Sequence, residues 1–154
     1  MTDNVTIRIQ TTDFDVNSEI ARLTASRTDI GAVVTFSGIC RGGAGSDATR
    51  ALTLEHYPGM AEAEIGRHAE EAMTRWPLTG VTVIHRTGRI LPGENIMVVL
   101  TASAHRQAAF QAAEFLMDYL KAHAPFWKRE ETAGGSDWVA AKTDDDDAAA
   151  RWDK

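Results

Sequence analysis

The sequence predicts an α+β fold with a mostly antiparallel sheet, in a single domain spanning residues 1–154. Three observations lead there. Strand-like alternation, as in Val5, Ile7 and Ile9 against Thr6, Arg8 and Gln10, recurs between longer helical stretches. Strands and helices are mixed without the regular strand–helix–strand alternation of a parallel sheet. A chain of 154 residues, with no linker or internal repeat, can bury one core but not two full ones.

The elements follow in order. After the Val5–Ile9 strand, Asp15 is a predicted N-cap for a helix running through Ile20 and Leu23, with Glu19 in its early turns. Gly31 to Phe36 form an apolar run of strand length, expected in the centre of a sheet. It leads into the glycine-rich stretch Arg41 to Asp47. Leu52, Leu54 and His56 alternate with Thr53, Glu55 and Tyr57 as a further strand. Pro58-Gly59 turns into a helix reaching about Trp76, where Pro77 ends it. Val81 to Arg86 read as a strand, Leu91-Pro92-Gly93-Glu94 as a turn, and Asn95 to Ala104 as a strand feeding a helix over residues 106–123. Trp138-Val139-Ala140 is expected to form a short last strand. The acidic segment 143–154 reads as solvated, its Asp144–Asp147 run capping a turn at Ala148 to Trp152.

Composition narrows the function classes. The apolar fraction of 44% and charged fraction of 25% are ordinary globular values. No apolar run approaches membrane-spanning length, and the polar start Met1-Thr2-Asp3-Asn4 lacks a signal-peptide pattern, so a cytoplasmic location is expected. The single cysteine, Cys40, excludes an internal disulfide and a cysteine-rich zinc site. The five histidines show neither an H-x-x-x-H pair nor a carboxylate at ligand spacing, so no metal and no cofactor is expected. A net charge of −6 argues against nucleic-acid binding. The charge is uneven: residues 105–129 carry Arg106, Lys121, Lys128 and Arg129 against Glu114 and Asp118, a patch suited to a small anionic ligand.

Candidate chemistry concentrates at residues 117–130. Lys121 and Lys128 are seven residues apart, separated by the helix-breaking Pro125 and the aromatics Phe126 and Trp127. On a helix, Phe110, Met117 and Lys121 fall within about 40° of one another, so Lys121 borders an apolar line. Such a lysine either snorkels to water or serves a site, and spacing leaves both readings open. His105-Arg106 opens a helix where unpaired backbone N–H groups favour anions, though an exposed first-turn arginine is the ordinary alternative. The glycine-rich loop lacks the phosphate-loop signature; it is either a closing loop with Arg41 at its base or a plain connection. Cys40, ending an apolar strand, reads as a small hydrophobe rather than a nucleophile. No G-x-S-x-G elbow is present.

Several segments, in order, resemble one family: Phe36-Ser37-Gly38-Ile39-Cys40-Arg41, Leu54-Glu55-His56-Tyr57-Pro58-Gly59-Met60, Val83-Ile84-His85-Arg86-Thr87-Gly88, Ala104-His105-Arg106, and Met117-Asp118-Tyr119-Leu120-Lys121 through Pro125-Phe126-Trp127-Lys128-Arg129-Glu130. The resemblance is to the large, catalytic subunit of molybdopterin synthase. It implies an α/β-hammerhead-type fold and a sulfurtransferase that converts cyclic pyranopterin monophosphate to molybdopterin in molybdenum-cofactor biosynthesis. The implied sulfur donor is the thiocarboxylate at the Gly-Gly terminus of a small ubiquitin-like subunit. The implied assembly is a heterotetramer around a large-subunit homodimer. Carried over by position, Lys121 and Lys128 are the implied catalytic residues. Arg41, His105 and Arg106 imply substrate binding, the latter two reaching from the neighbouring subunit, while Phe36 and Met117 imply the apolar pocket wall. A binding module that only docks the partner's tail is the rival reading.

Overall fold

Side-chain alternation along each strand decides which layer a residue serves, and one strand shows it plainly. Val81 and Val83 join the core beneath two long helices, whereas Ile84 between them joins a separate cluster on the opposite face. A computed structural model describes residues 4–43, 48–123, 125–139 and 143–153 of the chain. The elements are β1 (Val5–Gln10), α1 (Val16–Thr24), β2 (Ala32–Ile39), β3 (Ala51–His56), α2 (Met60–Arg75), β4 (Leu78–Arg86), β5 (Gly88–Ile90), β6 (Asn95–Ser103), α3 (Arg106–Ala122), β7 (Phe126–Thr132), β8 (Gly135–Val139) and α4 (Thr143–Ala150), followed by a 3₁₀ turn, Arg151–Asp153.

They form two four-stranded sheets, ordered β1-β4-β6-β2 and β5-β3-β7-β8. β1 pairs parallel with β4, and the other pairings are antiparallel. The expected α+β class with mostly antiparallel sheets is therefore the one found. α2 and α3 cover one face of the first sheet through Ile65, Ala69, Ala72, Ala112, Phe115, Leu116 and Leu120. α1 covers the other face, where Val16, Ile20 and Leu23 meet Phe14, Ile84, Val98 and Leu100. A third cluster, Cys40, Leu52, Leu54 and Ile90, backs the second sheet. Ile96 packs against both the first and the third cluster and so ties the sheets together.

Local chemistry explains the boundaries. Asp15 caps α1 by accepting from the Ser18 backbone N–H at 3.0 Å. Trp76, before Pro77, closes α2. Gly93, at φ +87°, makes the Leu91–Glu94 turn, closed by a 3.0 Å bond from the Glu94 N–H to the Leu91 carbonyl. Three expectations need correction. β2 is an edge strand rather than a central one: its exposed Phe36 and Ile39 make the run apolar without burying both faces. The aspartate run lies inside α4 instead of capping it. Residues 126–132, expected only as a bend, form a strand paired with β3. Ala140, expected in the last strand, lies outside the described residues, as do positions 44–47 of the glycine-rich loop.

Candidate active site

Register brings one set of chain ends together. Ile39 pairs with Asn95, and His85 with both Met97 of β6 and Ile9 of β1, so the end of β2, the end of β4 and the start of β6 share one margin of the first sheet. α3 follows β6 after a two-residue turn and runs back over β6 and β2, returning its C-terminal end to that margin. Met117 reaches the main core beside Met97, and Lys121, one turn later, is exposed. The apolar line of Phe110 and Met117 thus runs along the border of the buried helix face, with Phe110 itself 60% exposed.

β7 supplies the second lysine. Phe126, Lys128 and Glu130 pair with His56, Leu54 and Leu52 of β3 and lie on the face of that sheet which carries the Cys40 cluster. Lys128 is half-buried. Glu130 is held by the Thr49 hydroxyl, which donates to its carboxylate and ties the base of the glycine-rich loop to the strand. Cys40 is 2% exposed, and burial pushes its thiol up; Glu94 and Glu130 push it further, against the opposing charge of Lys128. A thiol held protonated among carboxylates is a poor nucleophile, in keeping with the sequence reading. Arg41 follows directly and is exposed at the loop base.

Between the lysines lies a group that sequence reasoning did not single out. His85 ends the inward row of β4, 8% exposed, its ring stacked on Phe126 with centroids 4.0 Å apart. Its Nδ1 lies 2.8 Å from the Arg86 carbonyl. Burial holds its pKa down to about 4, and the charges of Lys121 and His56 push the same way. Phe126 also meets the His56 ring at 6.1 Å. Lys121, His85, His56, Phe126 and Lys128 therefore share one neighbourhood. The available signal was the inward position of His85 in an otherwise apolar row. Arg86 beside it is structural: its guanidinium donates to the Thr11 carbonyl at 3.1 and 3.2 Å and to the Asn95 carbonyl at 2.9 Å, stitching β1 to β6.

The remaining expected residues are not gathered here. His105 is the N-cap residue of α3 and Arg106 its first helical residue, both exposed, and fifteen residues of helix separate Arg106 from Lys121. At 1.5 Å per residue that is roughly 22 Å, so within one chain they lie far from the lysines. Phe36 sits mid-strand on β2 opposite Val99, 40% exposed. Two shallow cavities of about 170 and 180 Å³ lie elsewhere, one lined by Glu19 and Arg22 and one by His68 and Trp152, and neither includes a candidate lysine.

A family model described as MoaE protein matches residues 9–123. The chain belongs to the MoaE family. It is 66% identical over 149 residues to the molybdopterin synthase catalytic subunit of Mesorhizobium japonicum, covering 96% of this chain and 92% of that protein. Against the molybdopterin synthase catalytic subunit of Escherichia coli K12, identity is 52% over 139 residues, covering 90% of this chain and 92% of that protein. The solved MoaE protein of Burkholderia ambifaria superposes with a TM-score of 0.83 at 48% identity, covering 97% of this chain and 99% of that one. This MoaE chain is an enzyme of molybdopterin synthesis. The margin carrying both lysines is the candidate active site of its MoaE fold.

Proposed function

We propose that the chain is the sulfurtransferase of molybdopterin synthesis, acting on cyclic pyranopterin monophosphate with the C-terminal thiocarboxylate of a small ubiquitin-like subunit as donor. The carrying observation is the convergence of Lys121 and Lys128, from α3 and β7, on one neighbourhood around Phe126. The thiocarboxylate sulfur adds to an electron-poor carbon of the pterin side chain, forming a C–S bond. Water then attacks the resulting thioester. The acyl–S bond breaks, leaving sulfur on the pterin and a carboxylate on the tail. Two tails visit in turn to supply two sulfurs. Lys121 provides the cation for the oxyanionic centre, and Lys128 is the general acid or base, a role worth about 10²–10⁴ in rate. Arg41 holds the phosphate with His105 and Arg106 of a neighbouring subunit, and Phe36 and Met117 form the apolar wall.

The assembly reading has its own support. Phe36, Ile39 and Phe110 are 40, 56 and 60% exposed on an edge strand and the helix above it, a surface suited to a second copy of the chain. The approximately 22 Å between Arg106 and Lys121 is then no obstacle, because a neighbour supplies the α3 start. Exposed Tyr57, Trp127 and Trp138 on the second sheet offer aromatic anchors for the small subunit. The name "catalytic subunit" carried by the relatives itself implies a further subunit. Among the described residues no helix is long and apolar enough to cross a membrane, and a cytoplasmic location belongs to this reading. The test is mass spectrometry of the precursor incubated with this chain and the thiocarboxylated partner. Product gaining two sulfurs is expected from the wild type, and none from Lys121→Ala, which should still bind the partner. Turnover by Lys121→Ala would remove that residue from the mechanism.

A further inference from the structure

Phe126 is clasped from two sides. On one, the His85 ring stacks at 4.0 Å with planes 21° apart; on the other, His56 lies 6.1 Å away at 49°. The His85 ring cannot turn freely. A carbonyl oxygen only accepts, so the 2.8 Å contact to the Arg86 carbonyl makes Nδ1 the protonated nitrogen and leaves the lone pair on Nε2. The Arg86 backbone is fixed in turn by its guanidinium, which spans the Thr11 and Asn95 carbonyls. Phe126 is five residues after Lys121 and two before Lys128, the first residue of β7. Whatever seats Phe126 sets where the chain re-enters the sheet, and so the placement of one lysine relative to the other.

We propose that His85 is a positioning residue for the lysine pair, its anchored imidazole seating Phe126 and thereby fixing Lys128 against Lys121. This rests on the sulfur-transfer reading for its catalytic readout. The ring does not touch the reacting atoms; it acts through Phe126. The charged groups facing it are Lys121 from α3 and His56 from β3, while β1 and β6 present Ile9 and Met97. Both facing cations favour the neutral ring that stacks here.

The test uses the chain assembled with its thiocarboxylated partner. His85→Ala and Phe126→Leu should each lower kcat by about tenfold or more while leaving KM and partner affinity within about twofold, as expected for misplacement of a bound pair. His85→Phe, which keeps a flat ring, should recover part of the loss. The double variant His85→Ala/Phe126→Leu should be no slower than the worse single one, because both remove the same seat. Folded single variants with kcat near the wild-type value, or losses that multiply, would overturn the proposal. Should His85→Ala not fold, a comparison of Phe126→Leu and His85→Phe with wild type decides it: wild-type kcat in Phe126→Leu overturns the seat, and a His85→Phe loss equal to that of Phe126→Leu places the effect in the anchor. A second readout needs no turnover. NMR titration of the His85 imidazole should move upward in Lys121→Gln, and an unmoved titration overturns the placement of Lys121 beside the ring. A wild type that makes no product while this titration moves refutes the sulfur-transfer reading alone.

Discussion

Burial of an uncharged imidazole beside a lysine gives His85 an acid signature. Its ordinary pKa of 6.5 falls to about 4 in the folded chain, chiefly through desolvation. Between those values the unfolded chain binds a proton that the folded one refuses, so stability falls as pH drops through that window and levels off below it. The drop attributable to His85 is roughly 3 kcal/mol, at 1.36 kcal/mol per unit. Half-buried His68, also shifted down by burial, adds in the same direction. Urea midpoints from pH 7 to pH 4 should show the slope, and His85→Phe should flatten it; equal slopes in the two proteins would refute the assignment. Cys40 makes the opposite prediction, of silence. A buried thiol pushed above its ordinary range contributes no thiolate, so Cys40→Ala should keep kcat within about twofold. A loss of tenfold in that variant would reopen its role.

At the scale of elements, the two ends of β2 have different jobs. Its approach is set by Gly31, whose N–H donates to the Ser103 carbonyl at 2.9 Å and where an added Cβ would stand 2.1 Å from the Ala104 carbonyl oxygen. That obstacle is backbone, so Gly31→Ala must displace the β6–α3 junction that carries His105 and Arg106. A loss of about 1–3 kcal/mol is expected by thermal denaturation, as for other overpacked sites. Wild-type melting would mean the junction gives way at no cost. Asp15 is simpler: Asp15→Ala should cost about 1 kcal/mol for the lost cap, with turnover unaffected because α1 lies on the face of the sheet away from the lysines. The cap was legible from the residue type and its place before Val16. The edge position of β2 was not, since an apolar run reads the same whether its second face meets a core or awaits a partner.

Across the whole molecule, the C-terminal segment closes over the helices. The Trp152 ring meets Trp76 at 5.6 Å and Phe115 at 5.7 Å, and its indole N–H donates to Asp118 at 2.6 Å. Arg151 bridges Glu114 and Asp118 at 2.6 and 2.7 Å, and Arg75 donates to the Trp152 carbonyl at 2.8 Å. The exposed ion pairs add little, so the indole is the main contributor. Trp152→Ala should lower stability by about 2 kcal/mol, less than a fully buried tryptophan because this one is half-buried. Chemical denaturation that places the variant within a few tenths of wild type would show the segment to be ornamental to stability.

Sequence alone determined the α+β class, the caps and most strand positions, because local propensity and side-chain period act over a few residues at a time. It also marked Lys121, Lys128, Arg41, His105 and Arg106 by residue type and by likeness to a family. Spacing could not separate a snorkelling Lys121 from a working one, because a single helix carries no information about what lies beyond its exposed end. Only the tertiary structure put β7 beside β3, brought His85 and His56 around Phe126, and turned two lysines on separate elements into neighbours. It also set Arg106 at the far end of α3, where one chain alone does not complete the anion site. Those are pairings between distant segments, decided by sheet register and helix packing rather than by any local pattern.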